Sequence, residues 1–563
     1  MRLFEFNYLY FKGGIYMYSS IDTIWVLLGA ALVFFMQAGF AMVETGFTRA
    51  KNAGNIIMKN LMDFSLGALI FWIFGFGIMF GADKFGIIGG LDLFTRGNYD
   101  SNIPTYAYLI FQTVFCATSA TIVSGAMAER TKFSSYCIYS LVISALVYPI
   151  SGHWIWGGGW LSKLGFHDFA GSTAVHMVGG VAALIGATVL GPRIGKYTKD
   201  GKSNEIPGHN LPIGALGVFI LWFCWFGFNG CSTLSATGDD SILSMSSIFV
   251  TTNLAAASAA TTVMLITWIK DKTPSVTMTL NGALGGLVAI TAGCDMVSPV
   301  GAFIIGIIAA IVLMLATDFI DKKLKVDDPV GAVAVHGCCG ALGTILTGLF
   351  ALDKGLLYGG GANFLGVQIL GVISVIAWVT FTMTITFTLI NKTIGLRVEL
   401  EEEIIGLDIE EHGLASSYAD FMPTFHGKAS MDKAIPVQYI RSIESTIEDD
   451  RLTKILVVFN KDKISHLTSA LEEIGISNVK INPTIDYCIK DSINDSLNEA
   501  SLYTNLIPKV KMEFVVNNMS IRTIIACIRN VIYTGVMGDG QIIVYDLDEK
   551  GYNISNNMEV NIG

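Results

Sequence analysis

Eleven apolar stretches, each long enough to cross a lipid bilayer as a helix, dominate the first 390 residues of the chain. The hydrocarbon core of a bilayer is about 30 Å thick and requires about 20 apolar residues per helix. The sequence therefore predicts an all-α polytopic membrane protein with eleven transmembrane helices over residues 21–390, which excludes an ordinary soluble enzyme. The stretches cover residues 22–44, 61–82, 105–127, 133–152, 171–191, 212–232, 244–269, 276–293, 298–320, 331–352 and 364–390.

Basic residues are divided unequally between the loops on the two sides of this predicted body. One set of loops carries sixteen Lys and Arg residues, and the opposite inter-helix loops carry four. The positive-inside rule assigns the first set to the cytoplasm. Because the number of spans is odd, we expect the N-terminus outside the cell and the C-terminal part inside, with the body in the plasma membrane. Residues 1–20 show no signal-peptide pattern and form either an extracellular flap or sequence upstream of a start at Met17.

Two histidines lie within apolar spans, and each follows an aspartate by eight residues. His176 follows Asp168 in the fifth span, and His336 follows Asp328 in the tenth. Eight residues of helix rise about 12 Å, and the two spans run in opposite directions, so both histidines are expected near the midplane. This spacing predicts a 5+5 inverted repeat with a functional site at the interface between its halves.

Several interpretations of these histidines are open. Each could be a packed core residue bonded to a neighbouring carbonyl group. A metal site is disfavoured, because zinc needs three or four ligands and neither span offers a partner at i+4. Two neutral imidazoles side by side can share a proton and pass a small hydrogen-bonding molecule along. A bare cation pays a high desolvation cost in an apolar pore, so the pattern favours a small neutral species, or a proton that moves separately from it.

Aromatic residues accompany these histidines in three segments. These are FQTVFCATSATIVSGAMAER, LWFCWFGFNGCS and, at the outer end of the fourth span, HWIWGGGW. A Trp at the mouth of a cavity can hold a cation against its π face, and Ser232 could accept a hydrogen bond from an ammonium-sized ion. A single aromatic residue here is more often lipid-facing or part of the core, so the prediction depends on the combination.

Residues 22–415 resemble the ammonium transporters of the Amt/Mep/Rh family. The resemblance rests on AMVETGFTRAKN, GAMAER, HWIWGGGW, DFAGSTAVH, WFGFNGCS, VDDPVGAVAVHG and GLRVELEEEIIGLDIEEHG. It implies a homotrimer with one pore per subunit, no enzymatic reaction, and no cofactor or metal for transport. The site residues that it implies are Trp156, Phe115, Ser232 and Asp168 for ammonium recruitment, Phe115 and Phe228 for a gate, His176, His336 and Trp225 for the pore, and Asp328 as a cytoplasmic-side carboxylate. The segment VGAVAV before His336 departs from the family pattern.

The tail differs in composition from the membrane body. Residues 399–563 hold 14 Lys and Arg against 26 Asp and Glu, a net charge of −12. Residues 391–427 resemble the family's cytoplasmic C-terminal region, and residues 428–451 are predicted to be a polar linker. From residue 452 to 563, apolar alternation and helical periodicity predict a ferredoxin-like α/β domain in the order βαββαβ. The predicted strands are 454–459, 478–489, 509–516 and 541–547, and the predicted helices are 462–475 and 520–533.

Residues 452–547 resemble the PII signal-transduction family, through the strand LIPKVKMEFVV and the turn TGVMGDGQIIV. The resemblance implies adenine-nucleotide binding and docking of this domain beneath the transporter, and we expect no nucleic-acid partner. Loop 490–505 lacks the family's arginine, and the turn carries Val536 and Gln541 where lysines are common. The candidate phosphate-binding residues are Lys509, Thr534, Gly535, Gly538, Asp539 and Gly540.

Two further functions remain open at this point. The protein could be an ammonium sensor whose pore occupancy signals through the tail, and the absence of an obvious pore-plugging arginine favours this alternative. The tail could also hydrolyse nucleotide, but its loop offers no catalytic base at a metal site. The leading prediction is an ammonium transporter regulated by its own PII-like domain.

Overall fold

The computed structural model divides the chain into two compact units, residues 1–417 and residues 418–563, and each is described by itself. The predicted N-terminal extension, except for its last residues, and the predicted linker lie outside the described residues. The residues that the structure describes are 18–97, 99, 102–414, 452–460, 463–476, 478–487, 506–517, 520–532, 540–547 and 553–562.

The first unit is entirely helical in its regular structure. Five π-helical turns interrupt or begin its long helices, at Phe71–Gly75, Ile143–Val147, Ser172–Met177, Ile320–Leu324 and Val333–Cys338. The α-helices are α1 Ser20–Phe47, α2 Ala53–Ile70, α3 Phe76–Phe80, α4 Thr105–Met127, α5 Phe133–Val142, α6 Tyr148–Ile155, α7 Trp160–Lys163, α8 Val178–Leu190, α9 Leu211–Gly230, α10 Asp239–Asp271, α11 Val276–Ile290, α12 Pro299–Phe319, α13 Cys339–Phe350, α14 Ala362–Thr393, α15 Leu400–Ile405 and α16 Leu407–His412.

Ten helical segments of the described residues are long and apolar enough to cross a membrane. The predicted eighth span instead coincides with the shorter helix α11, whose 15 residues rise about 22 Å. The polytopic helical fold is therefore confirmed with ten segments, and the count of eleven and the inverted repeat stay predictions. The ten segments are Ser20–Phe47, Ala50–Phe80, Thr105–Met127, Phe133–Lys163, Ser172–Leu190, Leu211–Thr233, Asp239–Asp271, Pro299–Leu324, Val333–Phe350 and Ala362–Thr393.

Small residues bring the central helices of the first unit close together. A Cβ atom on Gly286 of α11 would lie 2.4 Å from the carbonyl oxygen of Ala255 on α10, so these two backbones touch. Helix α4 is buried along almost its whole length, whereas α12 and α14 expose large apolar side chains such as Leu315 and Phe381. This burial pattern is typical of a membrane bundle with a central helix and a lipid-facing periphery.

The second unit contains a five-stranded sheet and two helices. Every pair of neighbouring strands is antiparallel, and the strand order is β2-β3-β1-β4-β5. The first four strands and two helices follow the predicted order βαββαβ, whereas β5 was not predicted. The elements are β1 Thr453–Asn460, α17 Ile464–Glu473, β2 Lys480–Tyr487, β3 Leu506–Val516, α18 Ile521–Ile532, β4 Gly540–Leu547 and β5 Asn553–Ile562.

Candidate functional site

Two buried aspartates organise the backbone that carries the histidines. Asp168 accepts hydrogen bonds from four successive backbone N–H groups, those of residues 171–174, at 2.8–2.9 Å. Asp328 accepts three, from residues 331–333, at 2.7–3.1 Å. Each carboxyl group thereby satisfies N–H groups that a helix start leaves without partners. Burial raises the pKa of both carboxyl groups, and the backbone donors oppose that rise.

The two histidines meet where their helices approach most closely. A Cβ atom on Gly180 would lie 2.1 Å from the backbone nitrogen of Gly337, so only glycine fits here. Nδ1 of His176 lies 3.2 Å from Nδ1 of His336, and the ring planes are inclined by only 19°. Both side chains are buried. Because the two facing nitrogens form one hydrogen bond, one of them carries the proton and the other accepts.

A file of aromatic rings extends from this pair. The Trp225 indole stacks on His176 at 5.0 Å between ring centroids, and its Nε1 donates to Thr291. The Phe228 ring lies 5.3 Å from His176 and stacks on Phe115 at 4.2 Å. These contacts join the histidine pair to Phe115 through an unbroken series of rings.

Trp156 and Ser232 lie at the other end of the file. The Trp156 ring meets Phe115 edge-on at 6.3 Å, and its Nε1 donates to the carbonyl oxygen of Asp168 at 2.7 Å. The Ser232 hydroxyl donates to the carbonyl oxygen of Phe228 at 2.8 Å. Both side chains are partly exposed, whereas the two phenylalanines are buried. The structure therefore brings the predicted recruitment, gate and pore residues into one continuous set of contacts.

A buried ionic cluster, which no sequence pattern predicted, lies among the basic loops. Arg193 binds Asp327 through Nε at 2.8 Å and Glu129 through Nη1 at 2.7 Å, and Arg49 also contacts Glu129. Burial alone would raise the pKa of Asp327, but the hydrogen bonds and charge of Arg193, together with Arg130, hold it at about 2. The sequence feature that could have indicated this cluster is the presence of charged residues at the ends of apolar spans, in the segments TRAKN, GAMAER and VDDP.

The region after the last span packs on these same loops. Lys51 donates through Nζ to the carbonyl oxygens of Glu403 and Ile404 at 2.5 and 2.6 Å. The Asp408 carboxylate accepts from the backbone N–H groups of Gly54 and Asn55 at 3.0 and 2.8 Å. This segment is described as far as residue 414, and over that length it is an integral part of the first unit.

The two described candidates for phosphate binding come together in the second unit. Lys509 of β3 pairs with Asn460, and Gly540 of β4 pairs with Phe459, so both lie beside the same end of β1. The Lys509 side chain is buried. The other four candidates, Thr534, Gly535, Gly538 and Asp539, lie outside the described residues. Within the described ranges, no three His, Cys, Asp or Glu side chains are placed to share a metal ion.

A bundle of apolar helices around a file of aromatic rings and a buried histidine pair defines a polytopic membrane transport protein, here joined to a separate α/β domain. The chain belongs to the Ammonium Transporter Family, whose model matches residues 24–417. Its C-terminal domain matches the family Nitrogen regulatory protein P-II over residues 452–551. The chain is thus an ammonium transporter with a fused P-II domain.

Curated proteins and solved structures are similar to the membrane part of the chain. The ammonium transporter Amt2 of Archaeoglobus fulgidus is 48% identical over 427 residues, which cover 72% of this chain and 89% of the relative. A solved structure titled "Sensor Amt Protein" has 42% identity and a TM-score of 0.67, and the match covers 70% of this chain and 98% of that one. The crystal structure of Candida albicans Mep2 has 29% identity and a TM-score of 0.64, covering 70% and 90% respectively.

Proposed function

We propose that the protein captures NH4+ at the extracellular face, removes one proton and conducts NH3 past His176 and His336, while the proton crosses separately. The observation that carries this proposal is the histidine pair, 3.2 Å apart between Nδ1 atoms and buried at the end of the aromatic file. A pore of this kind penalises a dehydrated cation heavily, whereas ammonia can exchange hydrogen bonds with imidazole nitrogens.

Capture begins at Trp156 and Ser232. The π face of Trp156 attracts a cation, and the Ser232 oxygen can accept a hydrogen bond from it. The carboxylate of Asp168 supports this site by holding the backbone that accepts the Trp156 N–H. Entry between Phe115 and Phe228 requires their stacked rings to separate, which strips water from the ion and favours release of its proton before NH3 enters.

Removal of both pore histidines tests this mechanism. We expect His176→Ala combined with His336→Ala to abolish selective ammonium transport, measured as ammonium-triggered current in proteoliposomes. His153→Gln serves as the matched control, because His153 is also buried but binds Met79 and Asp83, outside the aromatic file. Unchanged ammonium selectivity in the double variant would contradict the proposed role of the two histidines.

The proposal also covers the oligomeric state of the protein and its orientation in the membrane. We infer a homotrimer with one pore per subunit in the plasma membrane, eleven spans with a 5+5 inverted repeat, an extracellular N-terminus and a cytoplasmic C-terminus. The basic loops and the segment that packs on them share one side of the first unit, which supports the orientation. Cysteine accessibility to a membrane-impermeant reagent, at positions introduced in the loops, tests it directly.

The C-terminal domain is proposed to regulate transport by binding an adenine nucleotide and docking beneath the membrane part of the chain. The convergence of Lys509 and Gly540 at one end of β1 supports a phosphate site there. Calorimetric titration of the full-length protein with ATP, ADP, AMP and 2-oxoglutarate tests the ligand. A chain ending at residue 427 is the control, and binding of none of the four by the full-length protein would leave the assignment without support.

A sensor is the second candidate function, and the similarity to the structure titled "Sensor Amt Protein" favours it. In a sensor, ammonium occupancy of the pore changes the state of the tail, and flux is incidental. Deletion of residues 430–563 separates the two functions. A transporter keeps or gains ammonium flux after this deletion, whereas a sensor loses only its signalling.

A further inference from the structure

A small cavity lies beside His336, between the histidine pair and the end of α1. Its volume is about 20 Å³, and its mostly apolar lining, which includes Phe40, holds the polar side chains of Glu44, Asn281 and His336. A polar cavity of about 10–15 Å³ or more on this measure can hold a water molecule. The Oδ1 atom of Asn281 is buried and has no hydrogen-bond partner among the described residues, so it offers an acceptor to such a water.

Glu44 is the charged residue that lines this cavity with His336 in the described part of the chain. It lies one turn beyond Phe40 on the same face of α1, about 6 Å along the helix axis. The Phe40 ring itself lies 5.9 Å from the His336 ring. The cavity that both side chains line has room for one water molecule between the imidazole and the carboxyl group.

The partners of Glu44 leave its protonation state free to change. Its Oε2 accepts from the hydroxyl of Ser124 at 2.8 Å and from the side-chain amide of Asn60 at 3.3 Å. Both donors are neutral, so they can bind a carboxylate or a carboxylic acid. Glu129, by contrast, binds Arg49 and Arg193, and such paired arginines lock a carboxylate in its charged form.

A buried lysine, Lys59, interacts with Glu44. The Nζ atom of Lys59 has no hydrogen-bond partner among the described residues and lies 5.2 Å from the centre of the Tyr136 ring. Lys59 interacts electrostatically with Glu44 and Asp63, and more weakly with Arg130 and Glu129. Asp63 is occupied by Tyr136 and Ser140, which both donate to it, and it does not line the cavity.

We propose that Glu44 accepts the proton that leaves the histidine pair toward the side of the membrane where the Lys- and Arg-rich loops lie. The proton passes from the imidazolium of His336 to water in the shared cavity, and that water gives a proton to the Glu44 carboxylate. One proton moves and no other bond changes. This inference rests on the proposed function, in which the proton and NH3 cross separately.

The test compares ammonium-triggered current with ammonia uptake in the same proteoliposomes, the second followed by a direct assay of the total ammonia accumulated inside, which does not respond to the proton. Glu44→Gln is expected to lower the current about tenfold or more while ammonia uptake stays within about twofold. Asp22→Asn is the matched control, since it makes the same chemical change at a buried carboxyl group on the same helix that accepts from neutral donors and does not line the cavity, and its current should stay near that of the unmodified protein.

A second variant separates proton transfer from a merely structural role. Asn281→Leu fills the cavity with apolar atoms and leaves Glu44 in place, so it should also lower the current while uptake persists. A full current in Glu44→Gln overturns the inference, as does equal loss of current and uptake in Glu44→Gln with a normal current in Asn281→Leu. If the unmodified protein carried no ammonium-triggered current, the separate proton step of the proposed function would fail first, and this inference with it.

Discussion

At the scale of single residues, one pair of glycines decides how the histidines meet. Gly180 and Gly337 let two helix backbones touch, and that contact sets the 3.2 Å distance between His176 and His336. The aspartate–histidine spacing predicted that both histidines would lie deep in the membrane. It could not predict their mutual distance, because the two residues are 160 positions apart and their separation depends on the packing of different helices.

Gly180→Ala tests the importance of this contact. The added methyl group would force the helices apart by about 1 Å, and a displacement of that size can lower a rate about 100-fold. We expect ammonium current to fall by about that factor in a protein that still folds. Gly366→Ala is the control, because a Cβ atom there meets nothing within 4 Å. Full current in Gly180→Ala would show that the helices can adjust.

The ion pair between Asp327 and Arg193 should make the free energy of unfolding depend on pH. Asp327→Asn leaves Arg193 with an incomplete set of partners and should destabilise the protein by about 3 kcal/mol at neutral pH. The folded pKa of about 2 lies below the unfolded value of about 3.9. The stabilisation from the carboxylate is therefore full above about pH 4 and is lost as pH falls towards 2.

Thermal melting of the unmodified protein and of Asp327→Asn between pH 7 and pH 2 checks this. The difference in melting temperature should be large at neutral pH and should shrink in acid, because a protonated carboxyl group resembles the amide. A constant difference across the whole range would contradict the ionic role of Asp327.

At the scale of elements, local patterns predicted the C-terminal domain well except for its last strand. Helix α18 buries Ile524, Ile528 and Ile532, a spacing of four that marks one helix face. Strand β5, Asn553–Ile562, is rich in asparagine, which is depleted in strands. It forms as a strand by pairing along β4, and that pairing is a property of the sheet rather than of the segment.

Ile528→Ala tests the packing of α18. Removal of a fully buried Ile side chain should destabilise the C-terminal domain by about 2–5 kcal/mol. The measurement is the temperature of this domain's own unfolding transition, which should fall. Because the two units are compact in themselves, ammonium current in the absence of nucleotide should persist. Arg529→Ala, an exposed neighbour on the same helix, should leave the transition where it is.

At the scale of the whole molecule, the chain divides functionally before the P-II domain begins. Residues 397–408 are tied to the loops by Lys51, by the bonds from Arg397 to the carbonyl oxygens of Leu190 and Pro192 at 3.0 and 2.7 Å, and by the bonds to Asp408. The compositional change near residue 399 falls inside this segment. The acidic tail therefore contributes first to the transporter itself and only later to the regulatory domain.

Two truncations separate these contributions. A chain ending at residue 427 keeps the whole set of contacts and should retain ammonium current. A chain ending at residue 399 loses the carbonyl groups that Lys51 binds and the Asp408 carboxylate that accepts from the N–H groups of Gly54 and Asn55. This chain should therefore melt at lower temperature and carry less current. Equal stability of the two truncated chains would show that the segment is dispensable.

The sequence by itself determined the elements that depend on short stretches of chain: the apolar spans, the aspartate–histidine spacing, the motifs of two families, and the first four strands and both helices of the P-II domain. Periodicity and hydrophobicity act locally, so a linear pattern reveals them. The tertiary structure alone decided the contact of the two imidazoles, the Arg193–Asp327–Glu129 cluster and the cavity shared by Glu44 and His336. Each of these joins residues from different helices, and their distances follow from close packing of side chains across the whole bundle.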